Sequence, residues 1–265
     1  MFPVDKNSQT QELPFVAPCI KLDKKAPLRW LKLAWQDIKI APKQSLIYGS
    51  IIVVLSYIVS LTVWLYGGLG LLASLLSGFV FLGPVLAIGL YSISCQIQAG
   101  MKPQLGYCLR EGKRHLSNEL VFAVILTVVF LVWARAVSMI HIFYPSNSNA
   151  DWTQFAIFLT VGTLVGSIFS AIIFCFSAFS LPMIMDRKVD VITAVVTSIN
   201  AVLRNRMVLY LWACIIVLIV AIGFATVFIG FIVLMPLVGH ATWHAYQETI
   251  NSDAWPKHEN INETQ

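Results

Sequence analysis

Two histidines, His240 and His244, stand four residues apart in the stretch GHATWHAYQ. On an α-helix this spacing places both imidazoles on one face, as in many metal and haem sites. However, Trp243 and Tyr246 flank the pair, and such a Trp, His and Tyr cluster at a helix end is also typical of a membrane interface. The interface interpretation is favoured for two reasons. Ala241 stands where a zinc protease has Glu, and the sequence places no further His or Cys so that it must bind the same metal.

Charged side chains collect at the ends of long apolar runs. A candidate polar cluster is Asp186, Arg187, Asp190 and Arg204, within LPMIMDRKVDVITAVVTSINAVLRNR. These groups could bind a polar ligand, but they could also cap and pair the helix that starts there, and capping is favoured. No GxSxG motif, P-loop or hydrolytic carboxylate pair is present in the sequence, so we expect no enzymatic activity and no catalytic residue.

Arg135 is the one charge inside an apolar run. A buried guanidinium in a membrane is costly and is therefore a functional hypothesis by default. The alternative is that its long side chain reaches toward the outer face, where Trp133, His141 and Tyr144 indicate an interface. The sequence favours this second interpretation. No carboxylate occupies a comparable position, which argues against an ion-driven pump.

The composition predicts an integral membrane protein. The chain has 265 residues, of which 58% are hydrophobic and 12% charged, whereas soluble domains carry about 25% charged residues. The net charge of +5 comes from residues that flank apolar runs, so it does not indicate a nucleic-acid partner. The five cysteines form no CxxC pattern and are interpreted as reduced thiols.

Six apolar segments approach the roughly 20 residues that a helix needs to cross a bilayer. They are residues 45–66, 69–95, 119–143, 154–185, 207–225 and 227–246. The last two are separated at Gly223 and Gly230, where the chain can reverse. Together they make an all-α transmembrane domain over residues 27–248.

Lysine and arginine predict the orientation of these spans. Apart from Arg135, every basic residue falls before the first span, in an even-numbered connection or after the last span. By the positive-inside rule that side is the cytoplasm, and both termini lie there. Residues 1–26 are expected to form a flexible cytoplasmic tail, and residues 249–265 a second tail.

A threefold pattern organises the domain. Amphipathic helices are predicted in LRWLKLAWQDIKIAP, QLGYCLREGKRHLSN and VITAVVTSINAVLRN, each directly before a pair of spans. The second span of each pair carries a proline that can kink it, namely Pro84, Pro182 and Pro236. The order of elements therefore predicts three repeats of a cytoplasmic helix followed by a helical hairpin.

The first and third amphipathic helices differ in their faces. In the first, Leu28, Leu31, Trp35 and Ile38 oppose Arg29, Lys32, Gln36 and Lys39, a basic face suited to anionic lipid headgroups. In the third, Ile192, Val195, Ile199 and Leu203 oppose Thr193, Thr197, Asn200 and Arg204. The polar face of this third helix is expected to be tucked partly under the bundle. A further stripe of small residues, Gly162, Gly166 and Ser170, is expected to permit close helix packing.

The stretches FSLPMIMDRKVDVITAVVTSINAVLRN, LRWLKLAWQDIKIAP and FLGPVLAIGLYSIS resemble a family of bacterial integral membrane proteins known only as a domain of unknown function. Some members are labelled cytochrome c oxidase subunit I-like. The resemblance covers residues 28–248 and is closest at 181–205. It implies the bacterial inner membrane and brings no established activity.

Three functions remain open. The first is a non-catalytic accessory or scaffold protein, which packs against other membrane proteins or a second copy, or organises anionic lipid. The second is a passive or exchange transporter of a small neutral or anionic solute, suggested by the repeats, the prolines and Arg135. The third is a respiratory-associated protein with haem or metal at His240 and His244. The sequence favours the first, without a cofactor.

Overall fold

The computed structural model of the chain describes residues 14–67, 88–106, 121–122, 124–136, 139 and 152–257. Helices make up the regular secondary structure of these residues, and the extended pairing among them consists of two isolated β-bridges. The predicted all-α class is therefore confirmed for this part of the chain.

The described helices are numbered in chain order. They are α1 Ala26–Ile40, α2 Pro42–Tyr66, α3 Ile88–Gln98, α4 Val124–Ala136, α5 Trp152–Ser177, α6 Ser180–Asp186, α7 Val191–Arg204, α8 Arg206–Ala225 and α9 Phe231–Thr249.

Three described segments are long and apolar enough to cross a membrane. They are Pro42–Tyr66, Phe155–Asp186 and Arg206–Ala225, which correspond to the predicted spans 45–66, 154–185 and 207–225. Many of their large apolar side chains point away from the protein; Leu61 is 58% exposed and Val217 67% exposed. Such surfaces need lipid around them.

The other predicted spans are represented in part. Helix α4 lies within the span predicted at 119–143, and α3 overlaps the end of the span predicted at 69–95 and continues to Gln98. Most other residues of these two spans, with Pro84, fall outside the described ranges. Helix α9 overlaps the predicted span 227–246 from Phe231 onward but is not one of the three long apolar segments, since its second half is polar. The reversal between α8 and α9 falls at residues 226–230, as predicted.

Helix α9 lies at the centre of the described structure. Helix α2 packs along its first half and α1 along its second half. At the α2 contact, a Cβ on Gly49 would collide with the carbonyl oxygen of Ile232, so only glycine allows this approach. Beyond α9, Trp30 of α1 packs edge-on against Trp212 of α8, with ring centroids 5.6 Å apart. We call α1, α3, the second half of α9 and the terminal segments 17–22 and 250–257 the base.

Helix α1 buries a face that its sequence pattern did not single out. Trp30 and Ala34 are fully buried and Asp37 is 5% exposed. The predicted apolar face divides: Ile38 is buried, whereas Leu28 is 65% exposed and Trp35 45% exposed. The helix therefore turns a mixed face inward and keeps apolar side chains on its outer surface.

Helix α7 buries only part of its predicted polar face, since Asn200 and Arg204 are exposed and Val195 of the predicted apolar face is buried. Thr193 and Thr197 are buried, whereas Ile192 and Leu203 are exposed. The hydroxyl of Thr197 accepts a hydrogen bond from the backbone N–H of Ala17 at 3.1 Å. This packing satisfies the polar groups that it buries.

The parts of the two terminal segments that adjoin the helices are packed against the rest of the protein. Ala17 is 1% exposed and Trp255 is 2% exposed. The backbone N–H of Ile20 donates to the carbonyl of Thr249 at 2.8 Å, and that of Asn251 donates to the carbonyl of Pro18 at 2.9 Å. The predicted flexible tails 1–26 and 249–265 are thus wrong for residues 17–22 and 250–257. Residues 18–20 pair with residues 249–251, and residues 256–257 pair with Arg187 and Lys188. Residues 1–13 and 258–265 lie outside the described ranges.

Candidate functional site: a buried hydrogen-bonded chain in the base

Five polar side chains from four helices meet where the start of α2 packs against the base. Asp37 comes from α1, Ser45 from α2, Ser94 from α3, and His240 and His244 from α9. Ser45, Ser94 and His240 are each 0% exposed. Buried polar side chains need hydrogen-bond partners, and these five find them in one another. We call the five residues the polar chain.

The contacts of the polar chain form one continuous line. Ser45 Oγ lies 3.0 Å from Nε2 of His240, and Nδ1 of the same ring lies 2.7 Å from Ser94 Oγ. The Ser94 hydroxyl lies 2.7 Å from Oδ2 of Asp37, and Nε2 of His244 lies 2.8 Å from that same oxygen.

The hydrogen-bond geometry gives part of the direction of this line. The Ser94 hydroxyl donates its one proton to Oδ2 of Asp37. The oxygen of Ser94 must therefore accept its other bond from Nδ1–H of His240. Nε2 of His240 faces Ser45 Oγ and, with the ring neutral, accepts the hydroxyl proton of Ser45.

This order has the polarity by which a Ser–His–Asp triad activates a serine, with Ser94 inserted between the imidazole and the carboxylate. However, a nucleophile must meet a substrate, and Ser45 is fully buried. Every buried side-chain nitrogen or oxygen in the described residues has a hydrogen-bond partner. In this conformation the polar chain joins α1, α2, α3 and α9 and leaves no donor for a ligand.

Further polar contacts extend the seam between α1 and α9 toward the end of α9. The carboxylate of Glu248 accepts a hydrogen bond from the indole N–H of Trp30 at 2.8 Å and pairs with the guanidinium of Arg29. Arg29 and Glu248 are partly exposed, so the ion pair itself contributes little. The indole bond is half-buried and fixes the orientation of Trp30 against α9.

His240 and His244 share a face of α9, as their spacing predicted, and both rings contact side chains of other helices. His240 is 0% exposed, and its position at the depth of a membrane interface stays a prediction. Both of its ring nitrogens contact serines, and Nε2 of His244 contacts Asp37. No group of three or more potential metal ligands occurs within the described ranges. A metal at the His240 ring would have to displace one of its two bonds.

Part of the chain is similar to a known family of membrane proteins. Residues 71–186 match the family described as "Predicted integral membrane protein (DUF2189)". The match confirms the predicted resemblance over that segment and, with the apolar helices, the membrane character of the chain. It ends at Asp186, so most of the stretch 181–205, where the resemblance was expected to be closest, lies beyond it. No curated protein and no solved structure matches the chain.

The last residue of the matched segment, Asp186, is the centre of a second polar cluster. Its Oδ2 accepts hydrogen bonds from Nε of Arg187 at 3.0 Å, from the hydroxyl of Tyr246 at 2.9 Å and from Gln247 at 3.4 Å. Arg187 also donates to the carbonyl of Trp255 at 2.9 Å. This cluster fastens the segment after α9 to the end of α6.

The structure does not bring all four predicted cluster residues together. Asp190 is the N-cap of α7 and accepts a hydrogen bond from the backbone N–H of Thr193 at 2.9 Å. Partial burial of Asp190 favours a higher pKa, but the hydrogen bonds from Thr193 outweigh it and the pKa is lowered. Arg204 lies exposed in the last turn of the same helix, about 20 Å away at 1.5 Å per residue.

The remaining predicted residues have the following positions. Arg135 is exposed on α4, Pro182 is buried in α6, and Pro236 lies inside α9. Added Cβ atoms on Gly162 and Gly166 would meet nothing within 4 Å among the described residues. The small-residue stripe of α5 therefore faces away from the helices that the structure describes.

In the sequence, the burial of Asp37 is indicated only by its position on α1. It lies seven residues after Trp30 and three after Ala34, on the stripe of α1 that is buried. Ser45 and Ser94 carried no signal of their own, because isolated serines in apolar helices commonly bond to the preceding turn.

Proposed function

We propose that the protein is a non-catalytic accessory protein of the bacterial inner membrane. Its apolar helices anchor it, and its rigid base lies at the cytoplasmic face and binds anionic lipid and membrane-protein partners. The observation that carries this proposal is the base itself, where the polar side chains that could do chemistry are buried and bonded to one another. What the base offers to other molecules is its outer surface.

That outer surface is basic. Exposed cations surround the base at Lys21, Lys24, Lys25, Lys32, Lys39, Lys43, Lys102, Lys188, Arg204, Arg206 and Lys257. Meanwhile Asp37 and Asp186, two of the acidic residues, are buried. Basic residues beside membrane spans attract anionic lipid at about 1 kcal/mol each.

The same distribution supports a cytoplasmic base, and six crossings in three repeats are part of this proposal. The cations collect at the base end of the spans, as the positive-inside rule requires of cytoplasmic segments. Pairing of residues 18–20 with residues 249–251 is compatible only with an even number of crossings between them. Both termini would then be cytoplasmic.

The proposal is tested by purifying the tagged protein from its own membranes in a mild detergent and measuring bound phospholipid and co-purifying proteins. We expect bound phosphatidylglycerol or cardiolipin above its share of the membrane, or a stoichiometric membrane-protein partner. A matched preparation of an unrelated multi-span protein of similar size sets the background. Isolation of a bare monomer in every detergent would contradict the proposal.

A further inference from the structure

The outer surface of α1 carries cations and apolar side chains on one line. Lys25, Leu28, Lys32, Trp35 and Lys39 follow one another at spacings of three and four residues, so they lie on one face. All five are exposed, with Leu28 at 65% and Trp35 at 45%. We call them the outer stripe. It lies opposite the buried stripe of Trp30, Ala34 and Asp37.

The outer stripe ends next to the first helix that is long and apolar enough to cross a membrane. Helix α1 finishes at Ile40 and the membrane-length helix α2 begins at Pro42, with Ala41 alone between them. Trp35 and Lys39 therefore lie within two helical turns of the start of a span. The Lys39 ammonium lies over the Trp35 ring, 5.9 Å from its centroid. Tryptophan and lysine side by side at a span end are typical of the headgroup layer.

The charges of the outer stripe are not neutralised inside the described structure. The ion pairs described for α1 join Arg29 to Glu248 and Asp37 to His244, both away from the stripe. Lys32 and Lys39 have no ion-pair partner among the described residues. The stripe thus offers excess positive charge beside exposed apolar surface.

We propose that the outer stripe is a binding site for the headgroup of an anionic phospholipid in the surrounding bilayer. Lys32 and Lys39 contact the phosphate, while Leu28 and the Trp35 indole lie at the boundary between headgroups and acyl chains. This inference rests on the proposed function and assigns its lipid contact to particular residues.

The mixture of side chains favours lipid over a soluble polyanion. A nucleic acid or an acidic protein would be held by the lysines, but it would leave the exposed apolar side chains of Leu28 and Trp35 without a role. An amphipathic helix at the interface uses both kinds of side chain, since apolar burial and attraction to anionic headgroups add.

The test compares lipid retention by the full chain in nanodiscs. One set contains phosphatidylcholine alone, and the other replaces part of it with phosphatidylglycerol. Native mass spectrometry after release into detergent counts the lipids that stay bound. The double variant Lys32→Gln/Lys39→Gln is compared with Lys188→Gln/Lys257→Gln, which removes the same charge from another part of the base.

We expect the wild type to retain phosphatidylglycerol in preference to phosphatidylcholine. Removing two stripe lysines should weaken phosphatidylglycerol binding about thirtyfold, the ratio that corresponds to about 1 kcal/mol per lysine. The control pair should keep most of the preference. Trp35→Ala should weaken retention of both lipids, whereas Trp64→Ala, at the opposite end of α2 and 83% exposed, should not.

The outcomes separate this inference from the proposed function. Equal loss in the stripe and control pairs would overturn the stripe as a site, while lipid association through the base as a whole would stand. A wild type without any preference for phosphatidylglycerol would overturn both. Lipid-independent binding of a soluble acidic polymer, lost in the stripe variant alone, would overturn lipid as the occupant.

Discussion

Replacing Ser94 by alanine tests the polar chain at its middle link. Ser94 donates to Asp37 at 2.7 Å and accepts from His240 at 2.7 Å, and it is 0% exposed. The variant therefore loses a bond to an ionised acceptor, which contributes about 1.5–3 kcal/mol. It also leaves the Nδ1–H of a buried ring without an acceptor, which costs at least about 1 kcal/mol. We expect the free energy of unfolding to fall by about 2.5–4 kcal/mol.

Ser92→Ala is the matched control for this substitution. Ser92 lies on the same helix, is 2% exposed and also loses only a hydroxyl, but its side chain accepts a single long bond from Gln96 at 3.3 Å. Its replacement should cost less than about 1 kcal/mol. Equilibrium unfolding in mixed micelles, followed by tryptophan fluorescence, measures both variants against the wild type.

A double-mutant cycle makes the test specific to the chain. Ser94→Ala and His240→Ala remove the same bond, so their effects should fall short of additivity by about 1 kcal/mol or more. If Ser94→Ala and Ser92→Ala cost the same within about 0.5 kcal/mol, or if the cycle is additive, the polar chain does not hold the base together as argued.

Two further substitutions test the packing and the capping. Gly49→Ala forces a Cβ against the backbone of Ile232 and should destabilise by about 1–3 kcal/mol in the same unfolding assay. Gly162→Ala, whose Cβ meets no described residue within 4 Å, should be neutral or stabilising; equal effects would contradict the α2–α9 contact. Asp190→Ala should cost about 1 kcal/mol at neutral pH. The pKa of Asp190 in the folded protein is lowered. The difference in free energy of unfolding between the wild type and the variant is therefore fully present above the ordinary carboxyl pKa, and it should vanish as the pH falls through the lowered pKa. A difference that does not depend on pH would refute the cap.

The spans and the amphipathic helices were predictable because local patterns determine them. Long apolar runs correctly indicated α2 and α8, and helical periodicity indicated α1 and α7. The inner contacts were not predictable in this way, because the partners lie far apart in the sequence. Asp37 is 57 residues from Ser94 and 207 residues from His244. A carboxylate on a basic amphipathic helix also reads as solvent-exposed until its partners are known.

The orientation of helix faces was the harder problem, for a physical reason. In water, apolar faces turn inward, but beside a bilayer an apolar face can also turn toward lipid. Leu28 and Trp35 of α1 and Ile192 and Leu203 of α7 are exposed, while Thr197 is buried. Periodicity establishes that two faces exist, and only the packing partners decide which one is inside. The terminal segment at Ala17 became ordered for the same reason, through contact with a distant helix.

The sidedness of the base is the claim on which the proposed function depends most. Fusions of a fluorescent protein and of alkaline phosphatase to Gln265 and to a site near Ser148 measure it directly in a bacterial host. We expect fluorescence and no phosphatase activity at Gln265, with the reverse pattern near Ser148. The same compartment at both positions, or phosphatase activity at Gln265, would contradict a cytoplasmic base.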